Sequence, residues 1–354
     1  MRPTGDAENA HDAHAPAEVT PDPDPRLRHF LHAHGLAQPD ERARFTPLAG
    51  GVSSDIWRVD LPGRSLCLKR ALPRLKVAQD WRAPIERNAY EWAWIQFAAK
   101  HRPHAVPQPI ACDPDLGVFA MSWLDPADYP VWKRLLLDGI AVPGVAAEVG
   151  SIVATLHAAS AGDAEVAGRF ATDAIFHAIR LEPYLIATAD RHPDLRARLE
   201  ALAARTATTK RALVHGDVSP KNILLGPHGP VLLDAECAWY GDPAFDAAFC
   251  LNHFLLKCIA RPSSTGAYLR CFAAFSDGYL AGTTWEPRAE IEARIASLLP
   301  ALFLARIDGK SPVEYVTAEV DRRRVRDAAR PLIAQPPDCV AGVAARWRDA
   351  LAGE

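Results

Sequence analysis

Read for its pattern of apolar and polar positions, the chain changes character twice. Residues 1–25 are rich in Ala, Asp, His and Pro and almost free of large apolar side chains. Such a segment cannot bury enough surface to offset the entropy of ordering it, so a disordered tail is expected there. Leu27, Phe30 and Leu31 then sit at helical spacing. From Phe45 to Leu61 the pattern reads as strand, glycine turn, strand, and Pro62-Gly63 marks another turn. In Ser65–Arg70 the leucines Leu66 and Leu68 alternate with Cys67 and Lys69, the period of a strand. A helix is predicted from about Ile85 to Lys100, carrying Tyr90, Trp94, Ile95 and Ala98 on one side, and Val118–Leu124 is a further short apolar strand.

Beyond Asp125 the periodicity becomes mainly helical. Val145, Val149, Ile152, Val153 and Leu156 share a face of a helix over 145–159, and helices are expected over 173–187 and 191–206. A compact strand–loop–strand element, residues 212–236, interrupts the helices, which then run to the C-terminus. The pattern predicts an α+β chain of two lobes: a small strand-rich N-lobe over 26–124, and a larger helical C-lobe over 125–354 that contains the interrupting element.

Composition narrows the function classes. Hydrophobic residues make up 49% and charged residues 23%, so a core of ordinary size can form. The formal net charge of -3 gives no reason to expect nucleic acid or an anionic membrane as partner. The seven cysteines include no C-x-x-C pair, which argues against a disulfide framework or a structural zinc site. Apolar stretches such as Ile295–Leu304 are too short to span a bilayer, and no basic-then-apolar leader opens the chain. A cytoplasmic protein is expected.

The candidate chemistry lies in Leu213-Val-His-Gly-Asp-Val-Ser-Pro-Lys-Asn-Ile-Leu-Leu225 and the Val231-Leu-Leu-Asp-Ala-Glu236 that follows. Asp217 precedes Asn222 by five positions, and Asp234 ends the next apolar run twelve positions later. Phosphoryl transfer needs such a set. Asp217 would take the proton of an attacking hydroxyl, and Asn222 and Asp234 would offer oxygen to magnesium, which prefers hard donors. Lys69, on an apolar strand, requires an anionic partner if buried. Glu91 and Glu86 both lie on or beside the predicted helix, and spacing does not choose between them. The Gly50-Gly51-Val-Ser53-Ser54 turn offers backbone N–H groups and hydroxyls to phosphate oxygens. Arg306–Tyr315 brings cationic and acidic groups together, either as a contact to substrate or phosphate or as a solvated helix end.

The loop 215–222 resembles the H-G-D-x-x-x-x-N motif of the aminoglycoside phosphotransferase and choline kinase superfamily, which shares its plan with protein kinases. Ser219 stands where protein kinases carry a lysine, and Asp234-Ala-Glu236 stands where they carry D-F-G. Methylthioribose kinase is similar in Asp-x-Glu, in the run Leu68-Lys-Arg-Ala-Leu-Pro73, in Trp81, Glu86-Arg87 and Glu91, and in the segment from Cys237 to Phe249. That family carries H-G-D-L-H-T-G-S in the catalytic loop, so Asn222 is a departure from it.

The resemblance implies a protein-kinase-like fold that uses ATP and Mg2+. It places Lys69 and the Gly50-Gly51 turn on the phosphates, Met121 and Trp123 at the adenine hinge, and Asp246 beneath the catalytic loop. Glu236 is either a further metal ligand or a carboxylate capping the loop, and His157 a packed structural histidine. The expected activity is phosphorylation of a small-molecule hydroxyl: a sugar-like alcohol such as methylthioribose, or an aminoglycoside-type antibiotic. An amino alcohol such as choline or homoserine, and a nucleotide-binding module without catalysis, are the alternatives.

Overall fold

The computed structural model describes residues 24–48, 54–72 and 86–352. Gly50, Gly51, Ser53 and Trp81, and all but the end of the N-terminal tail, lie outside the described residues. Two lobes are present, one strand-rich and one mainly helical, as the hydrophobic pattern predicts.

The N-terminal lobe opens with α1 (Pro25–Ala33), whose Leu27, Phe30 and Leu31 are buried. Asp24 caps it by accepting the Arg26 N–H at 3.0 Å. Five antiparallel strands follow: β1 (Arg44–Pro47), β2 (Ser54–Leu61), β3 (Arg64–Ala71), β4 (Pro109–Asp113) and β5 (Val118–Ser122). They form one sheet in the order β1-β2-β3-β5-β4. Helix α2 (Arg87–His101) packs on one face. The strand alternation in β3 thus has both faces buried. Leu66 and Leu68 enter a small core with Phe30, Phe45 and Val59, whereas Cys67 joins the main core with Trp94 and Phe119. Lys69 is 3% exposed on the α2 side.

The C-terminal lobe begins with α3 (Trp132–Leu137), α4 (Pro143–Ser160), α5 (Ala164–Arg169) and α6 (Asp173–Phe176). The predicted helix over 173–187 is then mostly a wide π-helical segment, His177–Ile186, with Pro183 inside it. Proline has no N–H to donate, so the regular hydrogen-bond ladder is broken there. Helices α7 (Ala187–Arg191) and α8 (Arg196–Thr208) follow. Next come β6 (Ala212–Val214), the hairpin β7 (Ile223–Gly226) and β8 (Gly229–Leu232), and β9 (Trp239–Gly241), which pairs with β6. Helices α9 (Ala244–Ala260), α10 (Thr265–Ala281), α11 (Arg288–Asp308), α12 (Glu319–Ala334) and α13 (Val340–Ala352) complete the lobe. Helices α4 and α10 touch backbone to backbone: a Cβ on Gly150 would strike the Phe275 carbonyl, and one on Gly278 the Ala147 carbonyl.

Helix α9 runs through the middle of the lobe and is buried on all sides, Lys257 included. Burial pushes the Lys257 ammonium down to about 7, with Lys133 and Arg306 adding repulsion and Cys250 and Glu314 opposing. A lysine lowered in the folded state binds fewer protons than its unfolded counterpart between that value and the ordinary 10.5. Stability therefore rises with pH across that window. Relative to Lys257→Met, the wild type should gain up to about 1.4 kcal/mol per pH unit between about pH 7 and 10. Urea denaturation of both proteins at two pH values checks this; a constant difference between them would show an ordinary lysine.

Candidate functional site

The loop 215–222 leaves β6 and re-enters β7 through a single 3-10 turn, Pro220–Asn222. Asp246, in the first turn of α9, holds its start. Its carboxylate accepts the His215 N–H at 2.7 Å and the Gly216 N–H at 2.8 Å. His157 Nε2 lies 3.2 Å from the same carboxylate, and His157 Nδ1 lies 2.9 Å from the Tyr279 hydroxyl. Gly216 has φ +81°, and a Cβ there would lie 2.7 Å from Cys237 Cβ and 2.8 Å from the Cys237 carbonyl oxygen. Both the left-handed backbone and the close approach require glycine. Gly216→Ala should cost about 2–3 kcal/mol in urea denaturation, and a loss below about 0.5 kcal/mol would mean the loop can move aside.

Asp217 is 3% exposed and follows directly. Its Oδ2 meets Arg180 Nη2 at 2.9 Å and Lys221 Nζ at 3.1 Å, while Oδ1 is buried with no partner. Burial would raise the carboxyl, but the Lys221 ammonium and Arg180 guanidinium outweigh it and hold Asp217 well below the usual carboxylate range. Arg180 is fixed in turn by the Gly216 carbonyl, which accepts from Nε, and by the Ile179 carbonyl at 2.6 Å from Nη1. His215 Nδ1 accepts the Asp217 N–H at 3.1 Å. Burial pushes the His215 pKa down, against the pull of Asp246 and Asp217. Asn222 donates Nδ2–H to the Asp217 carbonyl at 3.2 Å, so the amide oxygen is the atom left for another partner.

Lys69 reaches across from the N-lobe. Its Nζ lies 2.8 Å from Glu91 and 2.5 Å from Asp234 Oδ1. Glu86, the other candidate partner, is exposed. Burial opposes the Lys69 charge, yet Asp234 and Glu91 together raise its pKa. Glu91 is pushed up to about 7 by burial, against the pull of Lys69. Among the described residues, Asp234 is the one non-glycine with positive φ, 68°. That left-handed conformation is costly for an aspartate and turns the chain where the β8 run ends. Burial would raise the Asp234 carboxyl, but Lys69 and Lys221 lower it. Its side chain is 28% exposed, against 4% for Lys69, so part of this carboxylate is open to solvent.

Glu236 is held by an arginine. It accepts Arg87 Nε–H at 3.0 Å, and Arg87 also donates to the Leu72 carbonyl at 2.7 Å. Among the described residues, no three His, Cys, Asp or Glu side chains gather closely enough to close a metal site by themselves. Magnesium does not demand that: it keeps waters and shares one or two carboxylates with substrate phosphates. The Asn222 amide oxygen and the exposed side of Asp234 form an all-oxygen set that fits such an ion.

At the lobe junction, Met121 pairs with Cys67 across β3 and β5 and is 9% exposed. Trp123 is partly exposed, with the Arg58 guanidinium 5.0 Å from its ring centroid. Ser54, at the start of β2, is 2% exposed and pairs with Ala71. The fold thus brings Lys69, Glu91, Asp217, Asn222 and Asp234 together, with Glu236 paired to Arg87. Reading the sequence missed Arg180, Arg87 and Lys221 as members of the cluster. Lys221 lies inside the motif, four residues from Asp217 in the sequence. Arg180 carries no local signal, and Arg87 stands in the sequence only as part of the family resemblance, with no role.

The model of the phosphotransferase enzyme family matches residues 44–291. The methylthioribose kinase of Bacillus cereus is 24% identical over 258 residues, covering 66% of this chain and 65% of that one. The methylthioribose kinase of Cronobacter sakazakii is 25% identical over 265 residues, with the same coverage. The chain thus spans about 65% of the length of these curated relatives. A crystal structure of choline kinase from Cryptosporidium parvum superposes with a TM-score of 0.51 at 13% identity, over 83% of this chain and 90% of that one, a likeness of fold.

Proposed function

Because the chain belongs to the phosphotransferase enzyme family, we propose that it transfers the γ-phosphoryl group of ATP to a hydroxyl of a small molecule, with magnesium. The observation that carries this reading is the state of Asp217: buried, with one oxygen free, and held ionised between Arg180 and Lys221. An ionised carboxylate with an unused oxygen is what a proton acceptor for an alcohol requires.

Lys69, kept charged and placed by Glu91, binds the α- and β-phosphates; its contact to Asp234 is the one a nucleotide would share. Asn222 and Asp234 hold magnesium, and Glu236 remains with Arg87. Magnesium, when bound, neutralises charge on the phosphates. The acceptor oxygen forms a bond to the γ-phosphorus as the bridging bond to ADP breaks, and the hydroxyl proton passes to Asp217. Lys221 and Arg180 then stand beside the charge that the transferred group brings. Little covalent chemistry is asked of the protein, so positioning and electrostatics supply most of the rate. Met121 and Trp123 at the lobe junction, and the Gly50-Gly51-Val-Ser53-Ser54 turn, complete the nucleotide site on this reading.

The test is ADP formation from ATP and magnesium with a panel of alcohols: methylthioribose and other sugars, hydroxy acids, aminoglycosides, choline and homoserine. Turnover with one class that vanishes in Asp217→Ala is the expected result. Failure of ATP to bind at all would overturn the reading.

A further inference from the structure

The centre of the C-lobe holds a second set of ionisable groups that the proposed reaction does not use. Helix α9 presents His253 and Lys257 four residues apart, hence on one face. They are 6% and 0% exposed, and both His253 Nε2 and Lys257 Nζ have no hydrogen-bond partner. The last turn of α11 adds Arg306, 8% exposed. Its Nη1 is fixed by the Ser311 carbonyl, the Ser311 hydroxyl at 3.0 Å and the Tyr184 hydroxyl at 3.2 Å, which leaves Nε without a partner. The segment after α11 adds Tyr315, whose ring centroid lies 5.0 Å from Lys257 Nζ and whose buried hydroxyl is also unpartnered.

This set adjoins the site around Asp217. Arg180, which holds Asp217, has its guanidinium 5.9 Å from the Tyr184 ring and 5.8 Å from the Phe249 ring. Arg306 lies 5.7 Å from that same Tyr184 ring, and His253 lies 5.8 Å from that same Phe249 ring. The two clusters thus share one aromatic wall.

Unpaired polar groups are costly to bury, and a buried ammonium most of all, unless a ligand pairs with them. Four side chains with an unpartnered polar atom each, an arginine and a lysine that an anion would recharge among them, describe a receptor for negative charge. The charged neighbours do not supply it. Lys133 adds to the positive side, and Glu314 is already paired with Lys133 and is 63% exposed. Asp217 is taken by Arg180 and Lys221.

We propose that the phosphoryl acceptor carries an oxyanion, a carboxylate or a phosphate, that is bound by Lys257, Arg306, His253 and Tyr315 while its hydroxyl faces Asp217. The proposal rests on the kinase reading above and narrows its acceptor to hydroxy acids or phosphorylated alcohols. A cationic acceptor such as choline would meet the Arg306 guanidinium and the Lys257 amine, and an uncharged sugar alcohol would leave Arg306 without a counter-charge. Pairing with an anion also returns Lys257, pushed down to about 7 by burial, to its charged form, so binding takes up a proton.

The experiment measures binding of malonate and of inorganic phosphate to the protein saturated with ADP and magnesium, in the wild type, Lys257→Met and Lys257→Arg. Lys257→Met is expected to fold, because it exchanges an unpaired buried cation for an apolar chain of similar length. The expected result is weakening by about tenfold or more in Lys257→Met, partial recovery in Lys257→Arg, and unchanged ADP affinity in both. Malonate binding with weak phosphate binding marks carboxylate acceptors, and the reverse marks phosphorylated ones. In the wild type, affinity should fall as pH rises above about 7. Absence of oxyanion binding, or equal binding in Lys257→Met, overturns the proposal even if choline or an aminoglycoside is phosphorylated, a result that leaves the kinase reading intact. Lysine-dependent oxyanion binding in a protein that phosphorylates no alcohol supports the oxyanion site and removes the kinase reading.

Discussion

Asp217→Asn should lower the rate of phosphoryl transfer by about three orders of magnitude while leaving ATP affinity largely unchanged. The substitution keeps size and shape but removes the charge that Arg180 and Lys221 hold at 2.9 and 3.1 Å. An amide oxygen cannot take a proton from the attacking alcohol, so the loss falls on kcat rather than on KM for ATP. Because the two cations keep Asp217 ionised far below neutrality, its protonation should leave no acidic limb in the rate profile between about pH 5 and 8. Single-turnover measurements with an excess of enzyme separate this step from product release. A near-wild-type rate in Asp217→Asn would remove the carboxylate from the chemistry and favour a nucleotide-binding module without catalysis.

Asp246→Ala should cost about 3–5 kcal/mol of stability. The carboxylate accepts the buried N–H groups of His215 and Gly216 at 2.7 and 2.8 Å and faces His157 Nε2 at 3.2 Å. Alanine leaves all three without a partner in a fully buried place, where water cannot replace the lost oxygens. The same bonds set the entry of the catalytic loop, so activity should fall along with stability. Asp246→Asn keeps one acceptor oxygen and should be milder. Urea denaturation compared across the three proteins measures the cost. A loss below about 1 kcal/mol in Asp246→Ala would mean that the Gly216 turn and β6 pairing hold the loop without it.

The same residues mark how far the sequence could be read. The loop 215–222 was legible because its chemistry is local: a glycine where φ must be positive, an aspartate and an asparagine at a set spacing, and flanking apolar strands. The partner of Lys69 was legible only as a choice between Glu86 and Glu91, since both belong to one helical stretch. Rotation of α2 against the sheet decides it, by burying Glu91 and exposing Glu86. Glu236 was read as either a metal ligand or a loop cap, and its partner Arg87 comes from 149 positions earlier in the chain, a pairing that no local pattern encodes. The helical period over 173–187 was visible, but not the π-helical segment that aims Arg180 at Asp217. Arg306 was read, with the residues up to Tyr315, as either a contact to substrate or phosphate or a solvated helix end, and its burial removes the second; His253 and Lys257 on α9 stand in the sequence as polar residues in an apolar helix.

By itself, then, the sequence determined the order of elements, the two-lobed division and the motif in the loop 215–222, because periodicity and turn chemistry act over a few residues. Only the tertiary structure decided which charges face one another and which stay unpaired, because burial and Coulomb interaction depend on distance in space and not along the chain.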